Sequence, residues 1–189
     1  NSPLDRWYFL GDESAVSEPV KRGFAHFKRL GCTGCHLVSD KEAKFTDQQF
    51  HNTGLGYHRS MGNGALASSF VVGGSRIITT MERFDDRRSN DLGRYEATQD
   101  PQDRWKFRTP SLRNVALTAP YMHDGTLPTL RSVIDFYDQG GFEAPGRDPR
   151  IRKLSLTADH KAELEGFLRS LTSDEVDHLI ELAREETSP

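Results

Sequence analysis

A mainly helical fold with long loops is what this sequence predicts, and three observations carry that reading. Apolar residues recur at helical spacing in several segments, and no segment alternates convincingly as a half-buried strand does. The chain's two cysteines stand together as Cys32-Thr33-Gly34-Cys35-His36, directly after the first of those helical segments. A C-x-x-C-H run is the pattern by which haem is attached covalently. Each thiol adds across one vinyl group to give a thioether, and the adjoining histidine offers an imidazole nitrogen to the iron. Two other readings of the motif are weaker. A thioredoxin-like pair wants a βαβ context, and a structural zinc site wants a second pair of ligands; neither is visible. The expected architecture is therefore helices and loops wrapped around one haem c.

Composition agrees. Of the 189 residues only 35% are hydrophobic, and mean hydropathy is −0.67. A porphyrin is a large flat hydrophobe that would complete such a sparse apolar core. The net charge of −3 argues against nucleic-acid binding. No apolar run is long enough to span a bilayer. The chain begins at Asn1 without a signal-peptide pattern, as a processed or cut product would. Haem c is attached on the outer side of an energy-transducing membrane, so a bacterial periplasm is the expected compartment.

Along the chain, residues 1–16 read as an irregular N-terminal segment. Ser17-Glu18-Pro19 marks a helix start, followed by Val20, Phe24 and Phe27 on one stripe, and Gly31 ends the helix. Residues 39–76 are polar and glycine-rich, reading as loops with short helical pieces; Val71-Val72 and Ile77-Ile78 could form a short strand pair at most. Residues 85–107 are charged and loop-like, with arginines between Arg76 and Arg113 interleaved with acids. Pro128-Thr129 opens a helix with Leu130, Val133, Ile134 and Tyr137 on one face, stopped by Gly140-Gly141. Thr157 is an N-cap for another, with Leu164, Phe167, Leu168 and Leu171 inward. Thr172-x-x-Glu175 reads as a capping box for a last helix carrying Val176, Leu179, Ile180 and Ala183. The expected division is thus 1–16, a haem domain over 17–172, and an acidic helix or tail over 173–189. Residues 157–189 hold nine acids against three basic residues. That excess would steer a docking partner at low salt or simply form a solvated helical face.

His36 fills one side of the iron. For the other, spacing alone leaves Met61, Met81 and Met122, His26, His51, His58 and His123, and Tyr57, Tyr95, Tyr121 and Tyr137 open. Tyr137 lies on the inward stripe of its helix, where a buried phenol needs a partner.

The run Lys106-Phe107-Arg108-Thr109-Pro110-Ser111-Leu112-Arg113-Asn114-Val115-Ala116-Leu117-Thr118-Ala119-Pro120-Tyr121-Met122-His123-Asp124-Gly125 resembles the signature of the C-terminal haem domain of the bacterial di-haem cytochrome c peroxidase and MauG family. The likeness extends to Phe50-His51-Asn52-Thr53-Gly54, to Thr129-Leu130 and Asp135-Phe136-Tyr137-Asp138-Gln139-Gly140-Gly141, and to the closing helix through Thr172. It covers about residues 5–172 and leaves the acidic tail outside. What the resemblance implies is a cytochrome c-like helical domain. Where the peroxidase branch has a ligating methionine, this chain has Tyr137, fourteen residues after His123, as in the MauG-like branch. A phenolate stabilises oxidised iron, so a His36/Tyr137 haem would have a low potential and no vacant position for peroxide. Arg108 and Arg113 would neutralise haem propionates or position the missing half. The resemblance also implies a calcium ion bound partly by backbone oxygens, at Thr118 and Pro120.

The family has two haem domains, and this chain has one C-x-x-C-H. The peroxide-binding haem and its acid–base residues belong to the other half, so no catalytic residue is expected here. The function implied is an electron-relay module of an oxidoreductase that uses hydrogen peroxide with a second haem domain or chain. A small periplasmic electron-transfer protein or a protein substrate would be the further partner. The alternative is a mono-haem electron-transfer cytochrome with no catalysis of its own, docking through the acidic region or an exposed haem edge.

Overall fold

The computed structural model describes residues 1–61, 67–72, 75–80, 91–176 and 178. In chain order the elements are α1 (Pro3–Leu10), α2 (Glu18–Arg29), β1 (Phe50–His51), α3 (Leu55–Met61), β2 (Ala67–Val72), β3 (Ser75–Thr80), α4 (Tyr95–Thr98), β4 (Phe107–Arg108), α5 (Leu130–Asp138) and α6 (Ala158–Arg169). Single 3-10 turns occur at Cys32–Gly34, Pro101–Asp103 and Val115–Leu117. The fold is mainly α. The anticipated strand pair exists as β2 against β3, antiparallel, with Phe70 opposite Ile77. Met81 and most of the expected last helix, including Leu179, Ile180 and Ala183, lie outside the described residues. Contacts group the chain into two compact units. One comprises Asn1–Asp47, Pro110–Ile134 and the chain from Leu156 onward; the other comprises Gln48–Thr109 and Asp135–Ser155. Residues from the expected span 17–172 contribute to both.

The first unit is built on the pair α2 and α6. Phe24 and Phe27 from α2 meet Leu164, Phe167 and Leu168 from α6 and Leu171 beyond it, all buried. Each such side chain contributes about 1.5–3 kcal/mol on leaving water. Gly23 lets the helices touch, since a Cβ there would sit 2.0 Å from the Glu163 carbonyl oxygen. Thr157 caps α6 as expected, its hydroxyl accepting the His160 N–H at 3.2 Å.

Within residues 1–16, Pro3–Leu10 is helical rather than irregular, contrary to expectation. Ser2 caps α1 by accepting the Asp5 N–H at 3.3 Å, and Asp5 accepts the Ser2 N–H at 2.9 Å. Leu4 is fully buried in the core of this unit, and its N–H donates to the Ser170 carbonyl at 3.2 Å. Ser2-Pro3-x-Asp5 is a start signal of the same kind as those that mark later helices, with proline in the first turn. At the other end, the Glu175 N–H goes to the hydroxyl of Ser173 at 3.3 Å, one residue past the expected cap Thr172.

The second unit is knitted mostly by loops. β1 pairs with β4, with Phe50 opposite Arg108. Buried Asn52 donates to the Pro145 carbonyl at 3.1 Å and accepts the Gly54 N–H at 2.8 Å. Gly54 has φ +86°, and a Cβ there would lie 1.9 Å from the Phe142 carbonyl oxygen. The Phe142 ring stacks on His58 at 4.2 Å and meets Phe136 edge-on at 5.5 Å. Trp105 packs edge-on against Tyr57 at 4.9 Å and donates its indole N–H to Ser60 at 2.8 Å. On α5, Leu130, Ser132 and Ile134 of the first unit and Asp135 and Phe136 of the second are buried, while Val133 and Tyr137 are half-buried.

Candidate haem-attachment site

Helix α2 ends at Arg29, and Gly31, in the left-handed region at φ +86°, hands the chain to the Cys32–Gly34 turn. The Cys35 and His36 amides both donate to the Cys32 carbonyl, at 3.3 and 3.0 Å. A two-residue spacer is what permits this: one tight turn brings both cysteines and the histidine onto a single backbone oxygen. No disulfide joins the two cysteines. Cys32 packs against the core of the first unit, and burial pushes its thiol up to about 11. Redox-active or metal-binding cysteines sit where the thiolate is favoured.

His36 is oriented by the chain itself. Its Nδ1 lies 2.8 Å from the carbonyl oxygen of Phe45. A carbonyl only accepts, so Nδ1 carries the proton and the lone pair is on Nε2. That is the tautomer an iron-ligating histidine requires, with the partner that metal-bound histidines usually have on their other nitrogen. The residues present therefore fit a covalently held haem.

The carbonyl is presented by an unusual backbone. Phe45 is fully buried and has φ +52°, a conformation costing a bulky L-residue about 1–2 kcal/mol. Around it, Arg113 donates from Nε to the Ala43 carbonyl at 2.8 Å, and Ser111 donates to the Lys44 carbonyl at 2.8 Å. The Phe45 N–H donates to the Leu37 carbonyl at 3.0 Å. Arg113 is in turn held by Asp5, whose Oδ2 accepts from Nη1 at 2.8 Å. Burial works to raise the Asp5 carboxyl. Bonds from the Ser2 backbone, Arg113, the N-terminal ammonium and the Ser2 hydroxyl outweigh that and hold it at about 2.

The two arginines that looked equivalent in sequence therefore differ. Arg113 is committed to Asp5 and to the 43–45 segment, while Arg108 is exposed on β4. The sequence offered no way to see Arg113's role, because Asp5 lies 108 positions away. Thr118 and Pro120 are both exposed, with the Thr118 hydroxyl donating to the Val115 carbonyl at 3.1 Å. His123 is exposed in a turn closed by reciprocal bonds between Tyr121 and Leu127, at 2.7 and 3.3 Å. Several candidates for the second axial position are engaged within their own units. His26 bonds Glu163 at 2.9 Å, His51 bonds Asp148 at 2.9 Å, and the Tyr121 hydroxyl donates to the Val115 carbonyl at 3.0 Å. Tyr137, next to buried Phe136 on α5, keeps its candidacy from its place in the motif.

The acids of the C-terminal region are also engaged. Glu163 pairs with Arg22 and His26, Glu165 with Arg131 and Arg169, and Asp174 with Arg6. Glu175 accepts from the Asn1 side chain at 2.9 Å. On α6 the ion-paired acids are thus Glu163 and Glu165, while Asp174 and Glu175 lie in the turn beyond it. No described helix is long and apolar enough to cross a membrane.

Comparison with known proteins agrees with these features. No family model matches the chain. It is 38% identical over 174 residues to a cytochrome-c peroxidase, IdrP1, of Denitromonas iodatirespirans, covering 92% of this chain and 45% of that protein. It is 33% identical over 174 residues to the methylamine utilization protein MauG of Methylorubrum extorquens, covering 92% and 40% respectively. Among solved structures, a MauG-like protein associated with microbial copper homeostasis superposes with a TM-score of 0.63 at 31% identity. That match covers 93% of this chain and 52% of the other. The chain spans less than half the length of the two relatives. Over nearly all of its own length the chain is similar, in sequence and in fold, to part of these cytochrome-c peroxidase and MauG proteins.

Proposed function

We propose that this chain is the electron-relay haem module of a di-haem peroxidase-like or MauG-like oxidoreductase. It would work with hydrogen peroxide through a second haem domain not contained in these 189 residues. When bound, the haem supplies a one-electron ferric/ferrous couple. Cys32 and Cys35 tether it, and His36 is the proximal ligand. The observation that carries the proposal is the Nδ1–H of His36 directed at the Phe45 carbonyl at 2.8 Å, immediately after the cysteine pair.

Tyr137 is the distal ligand in this reading, supported by its motif position. A hard phenolic oxygen favours ferric iron and leaves peroxide no open coordination position. Exposed Arg108 would face propionates or the second module. The backbone oxygens of Thr118 and Pro120, both exposed residues, would serve a calcium ion, with its remaining oxygens from water or the other module. A periplasmic location is part of the same reading, since haem c is attached there.

The test has two arms. Stopped-flow mixing of the purified haem-loaded chain with peroxide should show negligible turnover, and adding a first-haem domain should restore it. Tyr137→Met should raise the midpoint potential and introduce the weak near-infrared band of methionine ligation. Rapid turnover by the chain alone would overturn the relay role, and an unchanged spectrum would overturn the axial assignment. The plain electron-transfer alternative lacks a specific support: of the acids it would dock through, Glu163, Glu165 and Asp174 are ion-paired within the chain.

A further inference from the structure

We propose that the left-handed bend at Phe45 is a device for setting the strength of the His36 ligand, and that Arg113 is its positioning residue. Three consecutive carbonyls, of Ala43, Lys44 and Phe45, each receive a side-chain donor: Arg113 Nε, Ser111 Oγ and His36 Nδ1. The segment's carbonyl row is matched by side chains rather than by a neighbouring strand. The guanidinium of Arg113 also lies over the Phe45 ring, 5.2 Å from its centroid. One residue thus fixes both the carbonyl two positions before the bend and the ring at the bend.

A fully buried phenylalanine at φ +52° persists only where its surroundings over-determine it. Core filling does not require that conformation, because an ordinary backbone can also bury a ring. What the bend sets is the direction of the Phe45 carbonyl. The donor row of Ser111 and Arg113, two residues apart, holds that direction from behind. Asp5, bonded to Arg113 at 2.8 Å and to the Ser2 amide at 2.9 Å, anchors the row to the start of α1.

The consequence for the ligand follows from its electronics. An imidazole whose Nδ1–H is strongly held gains basicity at Nε2 and favours ferric iron. Loosening the carbonyl weakens that donation and makes the ferrous state easier to reach. The inference rests on reading His36 as an iron ligand, and extends it to Ser111 and Arg113, which bond the two carbonyls before that of Phe45.

The experiment is spectro-electrochemical titration and low-temperature EPR of the haem-loaded chain. Arg113→Ala should raise the midpoint potential, changing the ferrous-to-ferric ratio at a fixed applied potential about tenfold, which is 59 mV for a one-electron couple. The ferric g-values should shift with it. Ser111→Ala should move both readouts the same way by less. Arg113→Lys should recover part of the change, because an ammonium reaches Asp5 or the Ala43 carbonyl but lacks the fork that spans both. Leu4→Ala, a core truncation in the same unit, is the stability control and should lower the melting temperature without moving the potential. An unmoved potential in Arg113→Ala and Ser111→Ala, or an equal shift in Leu4→Ala, overturns the inference. A chain that carries no haem removes its premise, and that result is told apart by the missing Soret band.

Discussion

Asp5 is a carboxylate with one oxygen crowded by donors and the other buried without a hydrogen-bond partner among the described residues. Such a group depends on its two cations, Arg113 and the N-terminal ammonium, because an under-paired and largely buried charge costs more than a lost contact. Arg113→Ala should therefore destabilise the chain by about 1–2 kcal/mol, through the weakened pairing of the carboxylate and the lost carbonyl bond. Arg108→Ala, on the exposed side of β4, should change stability by no more than about 0.5 kcal/mol. Chemical denaturation of the two variants side by side checks the contrast; equal losses would mean the Asp5 contact carries no weight. From sequence these arginines were alike, two basic residues five positions apart in one motif. What separates them is a partner more than a hundred residues distant, which no local pattern encodes. The cysteines and His36 were legible for the opposite reason. Their chemistry is local, since one turn of backbone suffices to gather them.

At the scale of elements, legibility followed amphipathic period. Helices α2 and α6 are long enough to repeat an apolar stripe, and their inward residues Phe24, Phe27, Leu164, Phe167 and Leu168 are all buried. Helix α1 shows no clean stripe in eight residues, so its capping signal was outweighed by its brevity. Helix α5 has apolar residues on more than one side, and the expected inward face omitted Phe136. The glycines of the α2–α6 contact give a paired prediction. Gly23→Ala would place a methyl 2.0 Å from the Glu163 carbonyl and 2.9 Å from the Phe167 Cβ. The helices must separate, and the expected loss is about 3 kcal/mol. Gly166→Ala meets only Val20 Cγ2 at an ordinary 3.6 Å. Removing a helical glycine there should stabilise by up to about 1 kcal/mol. Thermal melts reading opposite signs for two glycine-to-alanine changes in facing helices would establish that contact. Thr157→Ala, removing the α6 cap, should cost about 1 kcal/mol.

For the molecule as a whole, each compact unit contains a carboxylate network that titrates as part of folding. In the first unit Asp5 is held at about 2, as described above. In the second, bonds from the Arg150 side chain hold Asp148 at about 2 against the opposing effect of burial, with help from the Arg150 backbone and His51. Asp148 also donates its N–H to the Asn52 carbonyl at 2.9 Å, so the network is tied to the Asn52–Gly54 turn. Both folded values lie below the ordinary 3.8, so the unfolded chain binds more protons in the interval between them. The stabilisation from each group is complete above about pH 5, shrinks as pH falls through 4, and is gone below about 2. After allowance for solvent screening, each network should contribute about 1 kcal/mol. Melting temperature followed by far-ultraviolet circular dichroism on the ferric haem-loaded chain should therefore fall between pH 5 and pH 2. Asp5→Asn and Asp148→Asn should each start lower at pH 6 and lose less on acidification, and the double variant should show the flattest profile. The two sites belong to different compact units, so their effects should add. A double variant whose acid slope matched the parent's would show that other carboxylates govern acid unfolding. It would also show that the arginine bonds to Asp5 and Asp148 hold geometry without holding the fold.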